Sequence, residues 1–273
     1  MDSTTQILTV LIVLTAGALN LILTQFARRN AARGRVFPLR ALPSMDAVPG
    51  LIGQSIESGR PVHVSMGSAG VGGLETPAAL ASAALFYRVA ERTATGSVAP
   101  LLTMSDATAL PLGYGTLRRA YAARGRIDRY ELRAVRWFPG GTRSLAFAAG
   151  LTIMAGNEQV SGSLLMGSYG SELALILFSA QRRRHITIAG SNQLSGMAVA
   201  YAMADHALLG EEVYAAPAYL SANVPAGDAG LRAALLTTDT LRWLLIAGLL
   251  LGMFLAIREP LWAGVGRLLA GGE

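Results

Sequence analysis

HVSMGSAG at residues 63–70 and SLLMGSYG at residues 163–170 are one pattern written twice, at an offset of 100 positions. Each passes from a short apolar stretch through Met-Gly-Ser-x-Gly into a helix-forming stretch. An apolar run without clean alternation suits a strand buried on both faces, and the glycine-rich turn into a helix makes it a βα unit. The next runs correspond loosely as well, LTMSD at 102–106 against TIAGSN at 187–192. Two related βαβ halves set both glycine loops at the carboxyl edge of one sheet, the edge where open α/β sheets hold ligands.

Outward from the two copies, strand-like runs alternate with alanine- and leucine-rich stretches of helical length. Strands are expected at 62–66, 98–104, 131–138, 160–166 and 185–189, and helices at 75–93, 108–123, 142–154, 171–184 and 193–209. Thr76-Pro77 is a good helix start, because a proline in the first turn gives up no donor that the helix needs. A linker carrying Pro38, Pro43 and Pro49 precedes the first unit, with a short amphipathic helix at 47–58 stopped by Gly59-Arg60-Pro61. Five strand-then-helix units in succession argue for a parallel sheet with helices on both faces. The expected fold class is α/β: a Rossmann-like doubly wound parallel sheet with an internal βαβ repeat, flanked by N- and C-terminal transmembrane helices.

The flanks carry the membrane reading. Residues 7–26 read ILTVLIVLTAGALNLILTQF, long enough at about 1.5 Å per residue to span a ~30 Å hydrocarbon core. Asp2 is the only charged side chain before them, whereas Arg28, Arg29, Arg33 and Arg35 lie beyond them. A cleavable signal would place charge before the apolar run and small residues at its end, so an uncleaved anchor is expected. The arginine bias puts the chain beyond Phe26 on the cytoplasmic side, with the arginines against anionic headgroups. WLLIAGLLLGMFLAI at 243–257 is shorter and bracketed by Arg242 and Arg258, which can snorkel. Its Gly248 and Gly252 stand four apart, the spacing that lets membrane helices pack closely. The expected organisation is an anchor at 1–27, a basic juxtamembrane linker with a short helix at 28–60, an α/β domain at 61–230, a second span at 240–258 and an interfacial tail at 259–273.

Composition agrees with that picture. Of 273 residues, 52% are hydrophobic and only 15% charged, against about a quarter charged in ordinary soluble domains. Cysteine is absent, which excludes disulfides, thiol nucleophiles and thiolate metal centres. All 23 basic residues are arginine, so Schiff-base chemistry and the P-loop lysine are excluded too. The pI of about 10.1 fits an anionic bilayer surface better than nucleic acid, because no aromatic-interleaved basic motif accompanies the charge.

IESGRPVHVSMGSAGVGG (56–73), AYAARGR (120–126) and YAMADHALLGEEVYAAPAYL (201–220) resemble an uncharacterised bacterial membrane-protein family, a domain of unknown function, over roughly residues 42–255. The resemblance implies a bacterial inner membrane and supplies no catalytic residues.

Candidate chemistry gathers at the sheet's carboxyl edge: Gly67, Ser68, Ser105, Asp106, Gly167, Ser168, Ser191 and Asn192. A small polar ligand or nucleotide moiety could meet backbone N–H groups there. The run at 67–73 could equally be a tight turn, since neither the dinucleotide spacing nor the phosphate-loop pattern is met, and Glu75 would repel an anion. Asp106 reads as a functional carboxylate or as a helix N-cap. Neither Ser68 nor Ser168 sits in a nucleophile elbow. His63, His185 and His206 lack metal-ligand spacing, and Asp205-His206 with Glu211-Glu212 reads as a solvated helix end. No cofactor, metal or nucleic-acid partner is implied. With no catalytic constellation, the reading leans away from an enzyme, towards a membrane-bound scaffold whose α/β domain forms homo-oligomers. The alternative is a membrane-tethered sensor or enzyme acting at the carboxyl edge.

Overall fold

Six strands make one sheet: β1 (Val62–Gly67), β2 (Leu101–Met104), β3 (Val135–Trp137), β4 (Gly162–Ser168), β5 (Ile186–Ser191) and β6 (His206–Leu208). They lie in the order β3-β2-β1-β4-β5-β6, and every pair is parallel. This comes from a computed structural model, which describes residues 3–32, 42–221, 240, 243–250 and 253. The strand order is that of a doubly wound, Rossmann-like sheet, whose direction of winding reverses between β1 and β4. The two copies of the repeat meet there. His63 pairs with Ser163, Val64 with Leu164 and Ser65 with Leu165, so the offset of 100 in sequence becomes zero in register.

The helices are α1 (Ser3–Ala32), α2 (Pro43–Ser58), α3 (Thr76–Thr93), α4 (Leu110–Ala123), α5 (Leu145–Asn157), α6 (Leu173–Arg182), α7 (Leu194–Met203) and α8 (Glu212–Ser221). α3 packs with α4 and α8 as one layer, while α5, α6 and α7 form the other. β1, β2 and β4 are buried along their whole length, as central strands of a two-sided sheet must be. On the second layer Phe147, Leu151, Ile176 and Leu177 close over Leu165 and Ala189. Alanines and Ser82 on α3 let it come close to the sheet, and the Ser82 hydroxyl donates to the Met166 carbonyl at 2.5 Å.

Three details depart from the sequence expectation. The helix expected at 193–209 stops at Met203, and His206–Leu208 becomes a sixth strand. Ala204 is extended, and the Asp205 carboxylate accepts from the Thr187 N–H and hydroxyl, both at 2.8 Å, which lays the chain alongside β5. The strand expected at 131–138 shrinks to three residues, because Leu132–Ala134 forms a 3-10 turn. α2 begins earlier than expected, at Pro43, and packs on α3, α8 and β6.

The chain divides into two compact units, Pro38–Gly227 and a second that unites Met1–Phe37 with Asp228–Glu273. α1 covers the first apolar segment, although side chains are described at only some of its positions. Among the described residues no helix is long and apolar enough to cross a membrane, so the two expected flanking spans are not established. Arg33, Arg35, Gly252 and the tail at 259–273 lie outside the described residues, as does the Arg28 side chain. Arg29 is exposed, and nothing lies within 4 Å of where a Cβ on Gly248 would stand.

Candidate functional site

The eight residues singled out at the carboxyl edge do converge, and they converge on one another. Ser68 donates from its N–H (2.8 Å) and its hydroxyl (3.1 Å) to the Ser168 carbonyl. The Gly67 carbonyl accepts from the Ser105 N–H at 2.8 Å, and the Gly167 carbonyl accepts from the Asn192 N–H at 3.1 Å. Ser168 Oγ accepts from the Gln193 amide at 2.7 Å. Ser191 Oγ accepts from the Tyr169 N–H and donates to the Tyr169 carbonyl, at 3.0 and 2.8 Å. Asp106 is the N-cap of its helical turn, accepting from the Thr108 N–H at 2.8 Å and from the Thr108 hydroxyl at 2.7 Å.

The glycine loop is closed in the same way. Val71 N–H donates to Thr108 Oγ1, and the N–H groups of Gly72 and Gly73 donate to Thr76 Oγ1, at 2.9 to 3.1 Å. Those are the donors that a phosphate would have needed. The glycines also permit contact between loops. A Cβ on Gly67 would collide with the Ser168 carbonyl oxygen, one on Gly167 with the Met66 carbonyl oxygen, and one on Gly70 with the Asp106 carboxylate. Across the mouth, Asn192 Nδ2 donates to the Glu75 carboxylate, which puts an acid where an anionic ligand would sit.

Sequence reasoning missed the part played by Tyr169 and Gln193, while Glu75 stands as an acid at the mouth, where the sequence had it repel an anion. Tyr169 is fully buried beneath the loops, and burial pushes its phenol pKa well above the ordinary value. It occupies the variable position of the second Met-Gly-Ser-x-Gly, where the first copy has Ala69, so the difference between copies was the available signal.

The polar residues of the sheet interior are likewise engaged. His63 shares hydrogen bonds with Ser163 Oγ through Nδ1 (3.2 Å) and with Thr103 Oγ1 through Nε2 (2.8 Å). Burial, helped by Arg136 and His185, lowers its pKa to about 3, so the ring is neutral and has no nitrogen free to activate Ser68. Glu212 accepts from the Leu209 N–H at 3.1 Å. Among the described residues no group of three His, Asp or Glu side chains could hold a metal ion.

A family model described as Domain of unknown function (DUF6754) matches residues 2–263. The chain belongs to that family. The match runs through both apolar ends as well as the α/β unit, beyond the 42–255 carried by the sequence resemblance. Comparison with curated proteins and with solved structures gives no match. Family membership therefore fixes the extent of the shared unit, and the chemistry has to come from the geometry.

Proposed function

We propose that this chain is an integral protein of a bacterial inner membrane, held by its apolar ends, whose cytoplasmic α/β unit self-assembles as a membrane-bound scaffold. The observation that carries the reading is that the loops of the carboxyl edge hydrogen-bond chiefly to one another. The position at which this fold ordinarily binds ligands is filled by hydrogen bonds between the chain's own loops. One helix layer of the α/β unit presents apolar side chains outward: Ile153 on α5, Leu175 and Phe178 on α6, and Leu194 and Tyr201 on α7 are each half or more exposed. A second copy is the occupant that fits this helix layer, since copies confined to one membrane meet at high effective concentration. The membrane assignment is supported by α1, where Ile7, Leu11, Leu14, Leu21 and Ile22 are all more than half exposed and need an apolar surround.

The test is mass measurement of the full chain in detergent by light scattering. Oligomers that Leu175→Arg and Phe178→Arg dissolve are expected. A monomer at every concentration overturns the scaffold. The second reading, a ligand sensor at the carboxyl edge, is favoured by one observation: Asn192 Oδ1 is buried without a hydrogen-bond partner. A rise in unfolding midpoint with a nucleotide, lost in Asn192→Ala, would support that reading instead.

A further inference from the structure

At the opposite, amino edge of the sheet three nitrogen-rich side chains converge on a cavity whose lining includes no acid among the described residues. Arg60 sits in the turn between α2 and β1, Arg183 caps α6, and His185 immediately precedes β5. With Asn157 at the end of α5 and Gln159 from the turn after it, they line an open cavity of about 500 Å³. The ion pairs among the described residues engage Arg88, Arg124, Arg133 and Arg136 and include neither Arg60 nor Arg183. The acid on the adjoining turn, Glu158, is paired with Arg136 at 2.6 Å. Two arginines facing one cavity repel, and a protein usually places a carboxylate between them. Here that place is open.

Two further features shape the cavity around the cations. The Arg183 guanidinium lies over Gly156, and a side chain there would push that guanidinium aside. His185 Nδ1 is buried without a hydrogen-bond partner, and burial together with Arg183 and Arg60 holds the ring's pKa below its ordinary value. The plainer account of Arg183 is a cation near the carbonyl end of α5. It leaves Arg60 and the orphan ring nitrogen unexplained.

We propose that this cavity binds a phosphate group, held by the Arg60 and Arg183 guanidinium groups with His185 and the Asn157 and Gln159 amides around it. Guanidinium forks match phosphate oxygens in geometry as well as charge. The phosphate belongs either to a soluble ligand or to a lipid headgroup. An apolar trough of about 690 Å³ shares Arg183, adds Arg182, and is lined by Ile153, Leu175 and Phe178, so an acyl chain beside a bound headgroup would compete there with the second copy proposed for this face.

The experiment uses the full chain in nanodiscs of phosphatidylcholine and reads the His185 ring nitrogens by NMR together with the unfolding midpoint. One arm adds sodium pyrophosphate against sodium chloride of equal ionic strength. The other replaces part of the phosphatidylcholine with phosphatidylglycerol. A soluble ligand moves the His185 signals and raises the midpoint in the first arm, and a headgroup does so in the second alone. In either case Arg60→Gln and Arg183→Gln should weaken the response about tenfold or more. Gly156→Val, which fills the cradle and keeps every charge, should weaken it too. Arg118→Gln, on the exposed face of α4, should leave it unchanged. The proposal is overturned if His185 stays still in both arms, or if folded Arg60→Gln and Arg183→Gln respond as the parent does.

Discussion

A methyl group at position 167 would have to share space with the Met66 carbonyl, and one at position 67 with the Ser168 carbonyl. Both neighbours are backbone in central strands and cannot swing aside. Gly167→Ala is therefore expected to destabilise the α/β unit by about 2–3 kcal/mol, read from denaturant unfolding. Gly115→Ala is the control: nothing lies within 4 Å of the new Cβ in α4, and helix propensity should stabilise it by up to ~1 kcal/mol. His63 gives the second prediction at this scale. Its pKa is about 3 in the folded chain against 6.5 unfolded. Between those values the unfolded state binds the extra proton, so stability is complete above pH 6.5 and lost as pH falls towards 3, by a few kcal/mol in all. Denaturant midpoints should fall with acid across that window, and His63→Gln should flatten that dependence on pH. Residues such as Gly67 were legible in the sequence because the repeat marked them. That they meet backbone instead of a ligand was not legible, because it depends on which loop lies opposite.

Elements show where pattern reading reaches and where it stops. The central strands were visible because β1, β2 and β4 are short, mostly apolar runs without clean alternation, and the Thr76-Pro77 helix start was visible from chemistry alone. β6 was hidden. ADHALL at 204–209 continues the alanine and leucine of α7, and what ends the helix is a partner 18 residues away in sequence. Asp205 is the device, since its carboxylate takes the Thr187 N–H and hydroxyl together. Asp205→Ala leaves that half-buried N–H without its partner, a loss of about 1–3 kcal/mol. Hydrogen exchange should show it locally, with faster exchange along β5 and β6 and little change in β1. Uniform acceleration across the sheet would mean that Asp205 does not act by holding this edge.

At the scale of the whole molecule, the sequence reads as apolar ends around an α/β centre, and the chain itself divides into two compact units, Pro38–Gly227 and the ends. The amino-edge arginine cavity was not legible, because Arg60, Asn157 and His185 are far apart in sequence and only the parallel sheet gathers them. The division has a physical consequence that can be measured. The core of Pro38–Gly227 is built from its own helices and sheet, with side chains such as Phe86, Leu102, Leu151 and Leu164 buried within it. Exposed leucines and isoleucines on α1, by contrast, gain nothing from water. If lipid surrounds the ends, the full chain should remain in the membrane pellet through an alkaline carbonate wash. Residues 38–227 expressed alone should be released by it and still unfold cooperatively. A single anchor would give a graded result, in which removing 1–37 frees the chain while removing 228–273 does not, and two anchors require both removals. Release of the intact chain by carbonate would instead mean that the exposed apolar side chains of α1 are covered by protein.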